Sequence, residues 1–345
     1  MYDKVKLWID RAIVGEQYHT IANYLDSAKQ ETDLQTGEVK TFGSLEGLKV
    51  SIFMGGLSVV GSLPKYLYGS NVYPLDRHTT AQAVEKMGDA LHIPIGQAAV
   101  TGLEFGTNFM MMHQVSDYLA KLGNMPRLSR YHFEPSTLYY KGTGKQQPKV
   151  FAFYDKMADA TAKGMPYPED MKGANLLKYE MRLNGRLPQQ LGVPEVTATT
   201  LTETPFYRMM VKRYQDSYFS ISKLYQVKTN VMSEIKTVSD AFNVFVARLI
   251  SQTDQTQIGG FLDELKEADV FEDRKNYSRL KKKIQEVATK ANITVSDELM
   301  RELDDEIRNC GARANAANAA NAANADSKHG DSDNDNDSDI CVIFL

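Results

Sequence analysis

The chain has 345 residues, 42% of them apolar and 24% charged, which suffices for a sizeable core and, by length, about two domains. The net charge of −4 is uneven: residues 326–345 hold six Asp and one Lys, leaving 39 basic against 38 acidic residues in the body, so the acidic balance does not exclude a nucleic-acid partner. Cys310 and Cys341 are the only cysteines, which excludes a disulfide framework and a Cys-based zinc site.

The N-terminal run MYDKVKLWIDRA lacks an apolar signal core. No stretch approaches the ~18–20 apolar residues of a membrane span. The terminal CVIFL sets Cys341 one place too far from the end for a prenylation box. The expectation is a soluble, cytoplasmic protein with no membrane partner.

In chain order, residues 4–10 alternate Val5, Leu7 and Ile9 against Lys6, Trp8 and Asp10, the pattern of a half-buried strand. Residues 17–29 are read as helix. Strands at 49–54 and 57–60 flank Gly55-Gly56, a hairpin signal. Ala81, Val84, Met87 and Leu91 stripe an amphipathic helix over 77–92. A strand over 98–109 leads into a helix over 110–122 ended by Gly123, with Met110–Met112 read as core. Strands follow at 136–141, 149–155 and 176–183. Hairpin order with interspersed helices predicts an α+β fold with a mainly antiparallel sheet and helices packed on it. Beyond 203 the texture is helical. Residues 274–283 form a basic stretch, and Ser296 is a suitable N-cap for Leu299, Leu303 and Ile307. Residues 311–345 are a low-complexity acidic tail expected to be disordered. Its Asp-x-Asp-x-Asp spacing lacks the Gly and closing Glu of a calcium loop. The division is 1–202, a catalytic domain; 203–310, a helical region for DNA binding or oligomerisation; and 311–345, the tail.

Familiar motifs are absent. Gly144-Lys145 is followed by Gln146 rather than Ser/Thr and is not a P-loop. There is no G-x-G-x-x-G or G-x-S-x-G, and the six histidines form no ligand pair within one element. A metal site would therefore use carboxylates, which favour Mg²⁺ or Mn²⁺. Three strand segments carry acids inside apolar patterns. In 100–109, Glu104 opposes Leu103, Phe105 and Phe109 and is flanked by Gly102 and Gly106, which leave room for a ligand. In 175–183, Lys178, Glu180 and Arg182 oppose Leu177, Tyr179, Met181 and Leu183. In 149–157, Tyr154 and Lys156 share a face with Asp155 between them, so Asp155 joins Tyr154 only through a bulge or at the strand end. A tyrosine beside acids and a lysine suits phosphodiester transfer. A free phenol is only about one part in a thousand ionised at pH 7, and a nearby cation favours the nucleophilic form.

The ordered segments MYDKVKLWI, LSVVGSLPKYLYGSN, AAVTGLEFGTNF, TLYYKGTGKQQPKVFAFYDK and NLLKYEMRL resemble the phage and plasmid replication proteins of the filamentous-phage II/X type. These are also called phage replication protein CRI and are similar to the Rep_trans initiators of rolling-circle plasmids. The resemblance covers residues 1–190. It implies a Rep-type nicking domain: a site-specific DNA endonuclease and strand transferase with Tyr154 as nucleophile and Glu104, Asp155 and Glu180 as ligands of Mg²⁺ or Mn²⁺. The family commonly reads Arg-x-Asp where this chain has Gly102-Leu103-Glu104.

Lys156 would stabilise charge on the phosphate. Lys65, Lys141, Lys145, Lys178 and Arg182 are read as DNA contacts, Tyr139 and Tyr140 as ordinary strand packing ahead of base-stacking residues or a second nucleophile, and Asp3 and Asp10 as further acids. The partners implied are double-stranded origin DNA, locally melted or cruciform, a host helicase and polymerase in a bacterial cytoplasm, and a second copy in a homodimer. The alternative readings are a non-catalytic DNA-binding replication regulator and a mobilisation relaxase.

Overall fold

The computed structural model describes residues 1–133, 135–164, 171–223, 225–227, 231–253, 255–290 and 294–311. The tail from 312 onward, with Cys341, lies outside the described residues.

The fold is α+β, built on one ten-stranded antiparallel sheet. The strands are β1 (Tyr2–Asp10), β2 (Asp26–Thr32), β3 (Val39–Leu45), β4 (Leu48–Phe53), β5 (Gly56–Ser62), β6 (Ala99–Met111), β7 (Ser129–Phe133), β8 (Thr137–Lys141), β9 (Lys149–Asp155) and β10 (Asn175–Asn184). Their spatial order is β2-β3-β4-β5-β1-β6-β10-β9-β8-β7. Two meanders thus flank the long central strands β6 and β10. A separate two-stranded sheet pairs β11 (Tyr225–Val227) with β12 (Thr294–Ser296).

The helices are α1 (Arg11–Val14), α2 (Leu63–Tyr68), α3 (Arg77–Leu91), α4 (Val115–Lys121), α5 (Lys156–Ala162), α6 (Leu187–Leu191), α7 (Thr204–Phe219), α8 (Val238–Gln252), α9 (Gln255–Glu267), α10 (Lys275–Ala288) and α11 over 298–311. No described helix is long and apolar enough to cross a membrane.

The period-2 patterns decide which face of the sheet is covered. Leu177, Tyr179, Met181 and Leu183 of β10 enter the core with Phe105 of β6 and Phe151 and Phe153 of β9. Over them lies α7. The Tyr179 ring stacks on Phe153 and on Tyr214, each at 4.2 Å between centroids. The Tyr214 hydroxyl donates to the Tyr179 carbonyl at 3.0 Å and the Tyr179 hydroxyl to the Tyr214 carbonyl at 3.2 Å, so both buried phenols are satisfied. Such ring pairs contribute about 0.5–1.5 kcal/mol beyond area burial. Met300, Leu303 and Ile307 of α11 join the same core.

Several local expectations are corrected. Residues 17–29 are not one helix: two 3₁₀ turns, Gly15–His19 and Ile21–Tyr24, lead into β2. Residues 110–111 continue β6, and the helix begins at Val115. Met110 and Met112 are exposed while Met111 is buried, which is strand alternation rather than a core triplet. Ser296 lies in β12, and Asp297 serves as the cap of α11 by accepting from the Leu299 amide at 3.0 Å.

Candidate functional site

The other face of the central strands carries the charged and polar side chains. Register places Arg182 of β10 abreast of Glu104 of β6 and Val150 of β9. Glu180 stands opposite Gly106 and Ala152, and Lys178 opposite Asn108 and Tyr154. The small residues on both sides of Glu180 leave its carboxylate to its polar neighbours. A Cβ at Gly106 would come within 2.3 Å of the Tyr179 carbonyl oxygen and 2.9 Å of the Glu180 Cα, so glycine is required for close pairing there. At Gly102 the space is filled by the Lys6 side chain, so these glycines accommodate the protein's own atoms rather than a ligand.

The Tyr154 hydroxyl donates to Glu180 Oε2 at 2.8 Å. Arg182 donates to the same carboxylate through Nε and Nη2 at 3.3 and 3.4 Å, and lies 4.0 Å from Glu104. Glu180 is buried, whereas Arg182 and Glu104 stay partly open to solvent. Burial and the adjacent Glu180 charge push the Tyr154 phenol well above its ordinary range. Burial, reinforced by Glu180, also raises the Glu104 carboxyl, with Arg182 opposing.

A second ion pair completes this face. Lys178 Nζ donates to Asp3 Oδ2 at 2.7 Å, both side chains are buried, and Ser62 donates to Asp3 Oδ1 at 2.7 Å. Burial opposes both charges. The Lys178 ammonium nevertheless holds the Asp3 carboxyl low, and Asp3 with Glu180 holds the Lys178 ammonium high. Lys156 is also buried, donates to Asn71 Oδ1 at 3.1 Å, and is made more acidic by burial and by Lys178.

Asp155 stands apart from this group. It pairs with Leu177 on the core-facing side, and its carboxylate caps α5 by accepting from the Met157 and Ala158 amides, each at 2.9 Å. No bulge re-aims it, because the β9–β10 register runs without a shift from Lys149 to Asp155. Among the described residues no group of three or more His, Cys, Asp or Glu is arranged to hold a metal ion. The structure therefore brings Tyr154, Glu104 and Glu180 to one face and does not bring Asp155 to it.

Of the expected DNA contacts, Arg182 belongs to the site and Lys178 is committed to Asp3. Lys65 is exposed on α2, Lys145 is exposed in the turn after β8, and Lys141 lies over the Tyr131 ring at 4.7 Å. Tyr140 is fully buried and donates to the Gly123 carbonyl at 2.7 Å, which removes it as a second nucleophile; Tyr139 lies on the open face beneath Arg182. Asp10 accepts from the Trp8 indole at 3.1 Å at the far end of β1. Asn71 and Ser62 lie in the LSVVGSLPKYLYGSN run that carries the resemblance, but the run gives them no role by itself, because their partners Lys156 and Asp3 are distant along the chain.

Residues 1–215 match the Phage_CRI family, described as replication-associated protein, N-terminal. Similar solved structures include a rolling circle replication initiator protein from Geobacillus stearothermophilus, at TM-score 0.33 and 8% identity over 59% of this chain and 78% of that one. Another is the di-domain ARO/CYC BexL of the BE-7585A biosynthetic pathway, at TM-score 0.20 and 10% identity over 62% of this chain and 95% of that one. At these scores neither likeness carries weight for fold or function. No curated protein matches.

Proposed function

The chain belongs to the Phage_CRI family of replication-associated proteins, and from that membership we propose that it initiates rolling-circle DNA replication by nicking origin DNA with Tyr154. The observation that carries this reading is the 2.8 Å hydrogen bond from the Tyr154 hydroxyl to Glu180, on a face that also presents Arg182. A phenol with a raised pKa needs a base in contact, and Glu180 is that base. The Tyr154 oxygen attacks the scissile phosphorus as its proton passes to Glu180. The bond from phosphorus to the 3′ oxygen breaks, and that oxygen takes up a proton to become a free 3′-OH. The 5′ phosphate stays on Tyr154. The 3′-OH then primes a host polymerase behind a host helicase, and a later transesterification reseals the circle. Arg182 and Lys156 place positive charge beside the phosphate where negative charge develops.

Two carboxylates, Glu104 and Glu180, are enough protein ligand for Mg²⁺ or Mn²⁺, since Mg²⁺ is commonly held by one or two carboxylates with substrate phosphates and water. Burial first, and then the Glu180 charge, raise the Glu104 carboxyl, and a divalent cation would relieve the repulsion between the two carboxylates. When bound, the ion withdraws charge from the non-bridging phosphate oxygens. Asp155 is left out of this set because its carboxylate caps α5. On α10 the exposed Arg279, Lys282 and Lys283 suit duplex phosphates.

The test is relaxation of a supercoiled origin plasmid with Mg²⁺ or Mn²⁺, with the covalent protein–DNA adduct followed on denaturing gels. Tyr154→Phe should bind DNA and form no adduct. An adduct in the Phe variant rejects Tyr154. Binding with no nick at any metal concentration points to the regulator reading instead.

A further inference from the structure

The site's face does not end at Tyr154. Register sets Phe133 of β7, Thr137 of β8 and Tyr154 abreast on neighbouring strands, and beside them Tyr131, Tyr139 and Ala152. In β8 the alternation is clean. Leu138 and Tyr140 are buried, while Thr137, Tyr139 and Lys141 are only half-buried on the side of Tyr154. Phe133 is 57% exposed on the last strand of the sheet. Its ring meets Tyr139 edge-on at 6.0 Å. Each tyrosine carries a cation over its ring, Lys141 over Tyr131 at 4.7 Å and the Arg182 guanidinium over Tyr139 at 5.8 Å.

Cross-strand contacts such as Phe133 on Tyr139 account for part of this arrangement but not for the open ring of Phe133. An exposed aromatic on an edge strand invites aggregation and contributes little to the core. Aromatic rings with interleaved cations on an open sheet are what single-stranded nucleic acid requires: ring faces for bases and positive charge for the backbone. The dimensions agree. Strands lie about 4.8 Å apart, so β7 stands about 10 Å from β9, the span of two or three stacked bases at about 3.4 Å each.

We infer that Tyr131, Phe133 and Tyr139, with Lys141, form a stacking platform that holds the nucleotides beside the scissile phosphate as single-stranded DNA. This rests on the proposed nicking by Tyr154 and assigns the residues that hold its melted strand. A melted strand laid across β7 and β8 delivers its next phosphate to Tyr154, and the platform holds that strand open against reannealing.

The experiment uses the full chain with Tyr154→Phe, so that binding is read without cleavage. The probe is a fluorescein-labelled oligothymidylate of about twelve nucleotides, within the usual site sizes of such surfaces. Phe133→Ala and Tyr131→Ala should each weaken it about ten-fold, the lower part of the range for one stacked base. Phe133→Trp should retain the affinity, and affinity for a duplex of the same length should change less than about two-fold in every variant, because duplex bases offer no free face. Unchanged oligothymidylate affinity in Phe133→Ala/Tyr131→Ala overturns the platform. Equal losses on single strand and duplex also overturn it, because they mark a general electrostatic effect. A change in sedimentation coefficient without a change in affinity overturns it in favour of a protein contact at the sheet edge. The two proposals fail separately: a protein that never nicks can still show the aromatic dependence, and one that nicks can lack it.

Discussion

The site is a ladder of alternating charges in which the contribution of each group depends on its neighbour. Lys178 and Asp3 are both buried, so removing either leaves a charge without its partner, which costs about 3–5 kcal/mol. Lys178→Met and Asp3→Ala should each lower urea stability by that order. The double variant should cost less than the sum by about 0.5–3 kcal/mol, the coupling of groups in contact. Additive losses in the urea curves would show that the pair does not act as a unit. Glu104 behaves in the opposite sense. Burial and Glu180 raise its folded pKa, so its carboxyl favours folding while protonated and that benefit is lost as pH rises through the folded value. Glu104→Gln should therefore raise the melting temperature at pH 7 and give no gain at a pH below the ordinary carboxylate range. A loss at pH 7 would mean that Arg182 outweighs burial. Under the proposed mechanism Glu180→Gln removes both the acceptor of the Tyr154 proton and one of the two proposed metal ligands, and should slow adduct formation by at least about 10²–10⁴-fold, the usual contribution of a positioned base alone. An unchanged rate would assign the proton to another group.

Strands are more legible in the sequence than the contacts between them. The alternations in β1, β6 and β10 announce themselves because one face is aromatic or aliphatic and the other is not. Glu104, Glu180 and Tyr154 can be grouped on that basis, and the same period sets Asp155 apart from Tyr154. β2 escapes such a reading because all seven of its residues are exposed, so no apolar period exists; pairing with β3 supplies its order. The Asp3–Lys178 pair is hidden by 175 residues of separation. It forms across β6, which lies between β1 and β10 and whose Gly106 contributes no side chain there. That glycine is the element-scale test. Gly106→Ala drives a Cβ into backbone atoms of β10 and should cost about 1–3 kcal/mol, the usual penalty of overpacking. Gly102→Ala meets the flexible Lys6 side chain and should cost distinctly less. Equal effects in thermal melts would show that β6 and β10 separate freely, and that Glu180 is not held by their pairing.

At the scale of the molecule, the segments that clamp the sheet come from far along the chain. The core face is covered by α7 and by α11, whose carboxylates are tied back to earlier elements. Asp304 accepts from the Tyr218 hydroxyl at 2.8 Å and from Lys223 at 2.6 Å, and Glu302 accepts from the Met112 amide at 2.8 Å and from the Tyr118 hydroxyl. Lys121 reaches the buried Asp297 at 3.1 Å. Because Met300, Leu303 and Ile307 share one core with β6, β9 and β10, α11 is a structural part of the sheet that carries Tyr154. Leu303→Ala should cost about 2–5 kcal/mol by opening a cavity at a fully buried position. Its unfolding should stay a single transition when tyrosine fluorescence and far-ultraviolet dichroism are compared. The proposed origin nicking should then fall with the fraction unfolded rather than with a change in the pH profile, since Leu303 touches none of the groups proposed to react. Two separated transitions, with nicking retained through the first, would show instead that α11 melts on its own and that the sheet holds its active face without it.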